Sequence, residues 1–190
     1  MLIYVLCLNI TIILRLDFLI NVWYNQSMLI LGIDPGMAIV GYSLLKAEGD
    51  NLELLSSGSI QTKSIQKDSQ RLFEIFEDLC SIIEKFKPDA ASVEKLFYFK
   101  NQKTIIPVAE ARGVIIMALE KYGIPIYEFT PLEIKQTLTG FGRADKKEVE
   151  KMVKFTLNRE TLPKLDDTVD SIAMGICCAR CCANGKLVAQ

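Results

Sequence analysis

Three places in this 190-residue sequence carry acids that the surrounding pattern does not require. Leu29-Ile30-Leu31-Gly32-Ile33 is a short apolar run that ends in Asp34, followed at once by Pro35-Gly36. Ala90-Ala91-Ser92-Val93 is a second such run, closing on Glu94. Asp167 and Asp170 stand three apart ahead of a third apolar stretch, so on a helix they share a face. Carboxylates converging from these three places repel one another unless divalent cations neutralise them. All-oxygen ligation suits Mg²⁺ or Mn²⁺. Two such ions roughly 4 Å apart activate water and stabilise both oxygens of an in-line displacement at phosphorus. The chain contains no histidine, which removes the usual neutral-pH acid–base group but does not hinder that chemistry. Taken singly, each acid has a simpler explanation. Asp34 before Pro-Gly can initiate a turn, Glu94 can be a strand-end surface acid, and Asp167-Thr-Val-Asp170 has capping-box spacing. Asp166 shares the face of Asp170 as well, four residues before it. The succession of strand acid, strand acid and helix-face pair favours the joint reading.

The elements needed to position these acids can be read from hydrophobic periodicity. Leu29–Ile33, Ala38–Lys46 and Leu52–Gln61 read as three successive strands, with a Gly49-Asp50-Asn51 turn between the last two. Leu72, Ile75, Phe76, Leu79, Ile82, Ile83 and Phe86 recur at helical spacing, and Pro88 follows. Residues 90–94 form the next strand. A helix is expected from about Lys103 to Tyr122, with Pro107 tolerated only near its first turn. Ile124–Phe129 is a fifth strand. Thr130 and Pro131 open a short helix as N-cap and first helical residue. Asp145–Leu157 and Thr168–Cys182 read as two more helices, the last with Val169, Ile172, Ala173, Ile176 and Ala179 inward. The order β-β-β-α-β-α-β-α-α-α implies an α/β fold: a mixed five-stranded sheet, three antiparallel strands then two parallel, flanked by helices.

Length and composition suit one domain with a sizeable core. Net charge is −1, so overall basicity points to no nucleic-acid partner. Between Lys95 and Lys154, however, eleven Lys/Arg face seven Asp/Glu. Four of the six cysteines crowd together as Cys177, Cys178, Cys181 and Cys182, which is not a disulfide framework. A reducing, cytoplasmic compartment fits, and the cluster reads as small apolar residues on a buried helix. Residues 1–27 are a distinct apolar extension, too short in its uncharged run to span a membrane and without a signal-peptide pattern. Met28 can serve as a start. The expected layout is an extension at 1–27, a domain at 28–184 and a tail at 185–190.

Several stretches together are similar to the RuvC family of Holliday-junction endonucleases. They are Leu31-Gly-Ile-Asp-Pro-Gly36 with Gly41-Tyr42, Val93-Glu-Lys-Leu-Phe97 with Lys100-Asn101, Ala111-Arg-Gly-Val114, Lys135-Gln-Thr137, and Asp167-Thr-Val-Asp170 followed by Ile172-Ala173. They run in family order from Leu29 to about Cys178. The resemblance implies an RNase H-like nuclease domain that cuts four-way junctions in DNA recombination and repair by paired symmetric nicks. It implies Asp34, Glu94, Asp167 and Asp170 as catalytic metal ligands, with Mg²⁺ as cofactor, two per subunit, and Mn²⁺ as substitute. Register to the Ile-Ala pair favours Asp167 over Asp166. The family commonly carries histidine where Cys178 stands.

Phe97, Tyr98 and Phe99 begin three residues after Glu94, where an exposed aromatic can stack on an unpaired base. The resemblance points to Phe97. Lys100, Lys135, Arg143, Lys146 and Lys147 can contact phosphates, and the resemblance favours Lys135 and Lys146. A two-fold symmetric junction asks for a homodimer. The helix carrying Val108, Ala111, Ile115, Ala118 and Leu119 can supply that interface or pack on the sheet. The resemblance also implies the RuvA–RuvB branch-migration complex as partner, and no membrane. Two other functions stay open: an RNA-processing nuclease of the YqgF type, and a catalytically weak junction-binding protein. A sugar-kinase or actin-like ATPase needs a duplicated domain, for which the length leaves no room.

Overall fold

The computed structural model describes residues 27–96 and 102–183. Its elements are β1 (Met28–Asp34), β2 (Ile39–Glu48), β3 (Asn51–Gln61), α1 (Asp68–Phe86), β4 (Ala90–Glu94), α2 (Gln102–Lys121), β5 (Ile126–Phe129), α3 (Pro131–Thr139), α4 (Lys146–Thr156) and α5 (Asp166–Ala183). The expected order is the observed order. The sheet runs β3-β2-β1-β4-β5. β1 pairs antiparallel with β2 and parallel with β4, and β4 pairs parallel with β5. The meander and two crossover strands thus form the mixed five-stranded sheet the pattern implies. The extension up to residue 26, the aromatic loop at 97–101 and the tail from residue 184 lie outside the described residues.

Helices cover both faces of the sheet, and strand alternation divides the core between them. Leu31, Ile33, Ala91 and Val93 point into a cluster with Ile75, Leu79 and Ile83 of α1 and Ala111, Ile115, Ala118 and Leu119 of α2. Ile30, Leu45 and Phe129 point the other way, onto α5 with Ile134 of α3 and Val149 of α4. Ala111, Ile115, Ala118 and Leu119 are fully buried, so core packing against the sheet accounts for them, not an interface. Among its described residues, the large apolar side chains that α2 leaves exposed are Ile106 and Met117.

α5 carries the predicted inward residues and more. Ile172, Ala173, Met174, Ile176, Cys177 and Cys178 are all within 1% of full burial. It begins at Asp166, two residues before the expected start. It lies unusually close to the sheet. A methyl group at Gly32 would collide with the Ser171 carbonyl oxygen, and one at Gly41 with the Asp167 carbonyl. Side-chain hydroxyls from the strands fix the contact: Ser43 Oγ donates to the Ser171 carbonyl at 2.9 Å, and Ser92 Oγ to the Met174 carbonyl at 3.0 Å. Pro107 sits inside α2, beyond its first turn, a position where helix interiors seldom tolerate it.

Candidate active site

Alternation along β1 explains where Asp34 points. Ile30 and Gly32 face α5, so Asp34, two residues on, faces it too. The same rule runs along β4. Ser92 bonds α5, so Glu94 turns to the same side. Ile33 pairs with Val93 in the parallel register, which sets the two strand-end acids side by side at one end of the sheet. Ligands of open α/β sheets collect at that carboxyl edge. α5 supplies the other acids from its first turns, Asp167 beside Gly41 and Asp170 one turn on. The loss of a side chain at Gly41 is what admits the helix there.

An open cavity of about 320 Å³ lies at this edge, lined by Asp34, Glu94 and Asp170 together with Lys135 of α3 and Lys146 of α4. The electrostatics show how tightly the acids are gathered. Burial first, then Glu94, Asp170 and Asp167, push the Asp34 carboxyl from 3.8 up to about 8, and Lys146 offsets this in part. Glu94 is raised by burial and by Asp170. Asp170 is raised by burial, against the lowering effect of Lys146. Lys146 Nζ sits 3.4 Å from Asp170 Oδ2 and 3.1 Å from Asp166 Oδ2. Asp166 therefore engages the lysine and leaves Asp167 among the acids that act on Asp34.

As the side chains stand, no group of three or more acids or thiols among the described residues is arranged to hold a metal ion. Their chemistry nevertheless fits one. The donors are all carboxylate oxygens, buried enough to resist ionisation together, with one ammonium group set against them. A second cavity of about 310 Å³ continues past Lys146 and Asp170 toward Lys154 and Lys164.

Of the residues expected to touch DNA, Lys135 and Lys146 line the acid cavity. Arg143 and Lys147 are exposed on the α3–α4 connection and the start of α4, outside that lining. Phe97 and Lys100 lie outside the described residues. Cys178 is buried in the core two turns beyond Asp170, in contact with Cys182 and away from the cavity lining. One residue of the site had no role in the sequence reading. Arg112 of α2 pairs with Glu128 of β5, and its Nε donates to the Glu94 carbonyl at 3.2 Å. Both charged side chains are largely buried, at 19% and 11% exposure, so the tie holds the end of β4 from behind. A lone arginine in the apolar run Ala111-Arg-Gly-Val114 was its only signal.

The family described as crossover junction endodeoxyribonuclease RuvC matches residues 30–178. A crossover junction endodeoxyribonuclease RuvC of Halothermothrix orenii is 48% identical over 150 residues, 79% of this chain and 91% of that protein. One of Caldicellulosiruptor saccharolyticus is 45% identical over 151 residues, with the same coverage. Among solved structures, Thermus thermophilus RuvC in complex with a Holliday junction substrate superposes with a TM-score of 0.81 at 27% identity, over 86% of this chain and 99% of the other. The yeast mitochondrial Holliday junction resolvase Ydc2 shares the fold, with a TM-score of 0.57 at 16% identity over 82% of each chain.

Proposed function

The chain belongs to the RuvC family of crossover junction endodeoxyribonucleases, and we propose that Asp34, Glu94, Asp167 and Asp170 are the residues that make it cut. It is a hydrolytic nuclease of DNA recombination and repair that acts on four-way junctions. The observation that carries the site assignment is Asp34 itself. Its carboxyl is delivered by the central strand into a group of acids that raise it to about 8. Such repulsion is relieved either by a retained proton or by a bound cation, and the all-carboxylate donor set suits the cation.

The four carboxylates would hold divalent cations, Mg²⁺ in the first instance and two per subunit, with Mn²⁺ as substitute. Bound cations supply the activated water and the charge neutralisation that displacement at phosphorus requires. The protein's own groups do the rest. Asp34 and Glu94 sit on paired strands and keep a fixed spacing. Asp170 and Asp167 come from α5, which the Ser43, Ser92 and glycine contacts clamp to those strands. Lys135 and Lys146, at the cavity wall, steer a phosphodiester into it and offset its charge. Phe97, from the loop after Glu94, would stack on a base next to the cut, with Lys100, Arg143 and Lys147 on neighbouring phosphates.

A junction with two-fold symmetry calls for two matched sites, and a homodimer provides them. The exposed face of α2 is suited to the contact. It presents Ile106 and Met117 with Gly113 between them. Among the described residues nothing comes within 4 Å of a side chain placed at Gly113, so their packing does not require that glycine. Cys80, Cys177, Cys178 and Cys182 form no disulfide, which suits a reducing, cytoplasmic setting.

The test is a labelled four-way junction with purified protein and Mg²⁺. Symmetric nicks are expected, abolished by Asp34→Asn with junction binding retained. Equal cutting of linear duplex, or no cutting in either Mg²⁺ or Mn²⁺, sinks the reading.

A further inference from the structure

Phe141 is 59% exposed, and nothing in the fold of the protomer asks for an aromatic there. Exposure alone means little, since Ile65 and Phe155 are more exposed still. Three features distinguish Phe141. The first is rigidity. Its N–H donates to Thr139 Oγ1 at 3.1 Å, whose own proton goes to the Lys135 carbonyl at 2.8 Å, and its carbonyl accepts from the Ala144 N–H at 3.1 Å. Gly140, just before it, is left-handed at φ 77° and accepts a bond from Gln136 Nε2 at 2.8 Å. Ala144, just after, is 1% exposed. A loop pinned at both ends therefore holds the ring out in water.

The second feature is the ground beside the ring. A side chain at Gly142 would run into Leu132, which is itself 62% exposed. Glycine there lets Leu132 lie flush with the loop, extending the apolar surface next to Phe141. The third is charge and place. Arg143 and Lys147 flank the loop and are exposed. The loop joins α3 and α4, whose Lys135 and Lys146 line the acid cavity. The nearby acids are engaged with backbone, because Glu133 and Glu148 close capping boxes and Asp145 caps α4. Phe155 has no such setting: it lies near the far end of α4 from the cavity.

We propose that Phe141 is a base-contacting residue, on whose ring a splayed or unpaired base of the junction stacks beside the strand entering the acid cavity, with Arg143 and Lys147 on the flanking phosphates. An aromatic face serves every base, so the contact adds affinity without sequence preference. The inference rests on the junction-cutting reading above and adds a second aromatic contact, on a different loop from Phe97.

Full-length protein carrying Trp23→Phe, which leaves position 141 free for a single tryptophan reporter, gives the test. Binding is measured to a labelled four-way junction in Ca²⁺, and cleavage separately in Mg²⁺. Phe141→Ala should weaken junction binding roughly 5- to 100-fold with an unchanged melting temperature. Phe155→Ala should leave binding as it was. Phe141→Trp should retain binding, and its emission should be quenched when junction is added. Unchanged affinity in Phe141→Ala, an equal loss in Phe155→Ala, or tryptophan emission indifferent to junction each overturns the proposal. Wild-type protein that neither binds nor cuts junctions sinks the resolvase reading itself; wild-type activity beside an indifferent Phe141→Ala sinks only this inference.

Discussion

Asp34 bears the electrostatic stress of the site, and that stress is measurable without any substrate. Its carboxyl titrates near 3.8 when unfolded and near 8 when folded, because burial and the neighbouring acids disfavour its charge. The folded state therefore binds the proton more tightly. Stability linked to this group is fully present below the unfolded value and is lost as pH rises from about 4 through about 8. In metal-chelated buffer at neutral pH, Asp34→Asn should accordingly melt higher than wild type. The expected gain is on the order of 2 kcal/mol, or roughly 5 °C, and its dependence on pH over that window should flatten. Thermal melts across pH check this. A variant that melts lower than wild type at pH 8 refutes it. Lys146 limits the effect in wild type by placing an ammonium group against Asp170.

At the scale of elements, the placement of the acids depends on how closely α5 approaches the sheet. Gly41→Ala puts a methyl group against the Asp167 backbone, which has no flexible end to move aside. The helix must shift as a body, so a loss of about 2–4 kcal/mol is expected, with junction cutting falling further than residual folding explains. Ser43→Ala, on the same strand, removes one buried hydrogen bond and should cost only about 1 kcal/mol. Melts and cleavage rates on the two variants decide it, and equal effects would remove the steric argument. Periodicity made β1 and β4 legible, because alternation of period two fixes both the strand and the face its terminal acid takes. It did not decide which side of α2 is inward. That helix is apolar nearly all round, so Val108, Ala111, Ile115, Ala118 and Leu119 suited an interface as well as a core. Capping-box spacing from Asp167 to Asp170 makes Asp167 an N-cap and so puts the first helical residue at Thr168, two residues later than α5 begins. The Arg112–Glu128 tie was illegible because its partners lie on elements that only the parallel register of β4 and β5 brings together.

For the whole molecule, the proposed homodimer is what would turn single nicks into paired ones. Met117→Glu places a charge on the exposed face of α2 without touching the core. Sedimentation should show a monomer with an intact fold, and junctions should be nicked on one strand at a time in place of paired cuts. A dimer that persists in this variant moves the interface elsewhere. The tie between α5 and the first strands has a further consequence, in the order of synthesis. Ser43 meets Ser171 across 128 residues of chain. A growing chain holds Asp34 and Glu94 long before Asp167 and Asp170 leave the ribosome, and long-range pairing of this kind forms late. The same helix completes one half of the core and, on the proposed site, the set of acids, so the capacity to cut DNA would arrive only with the finished fold.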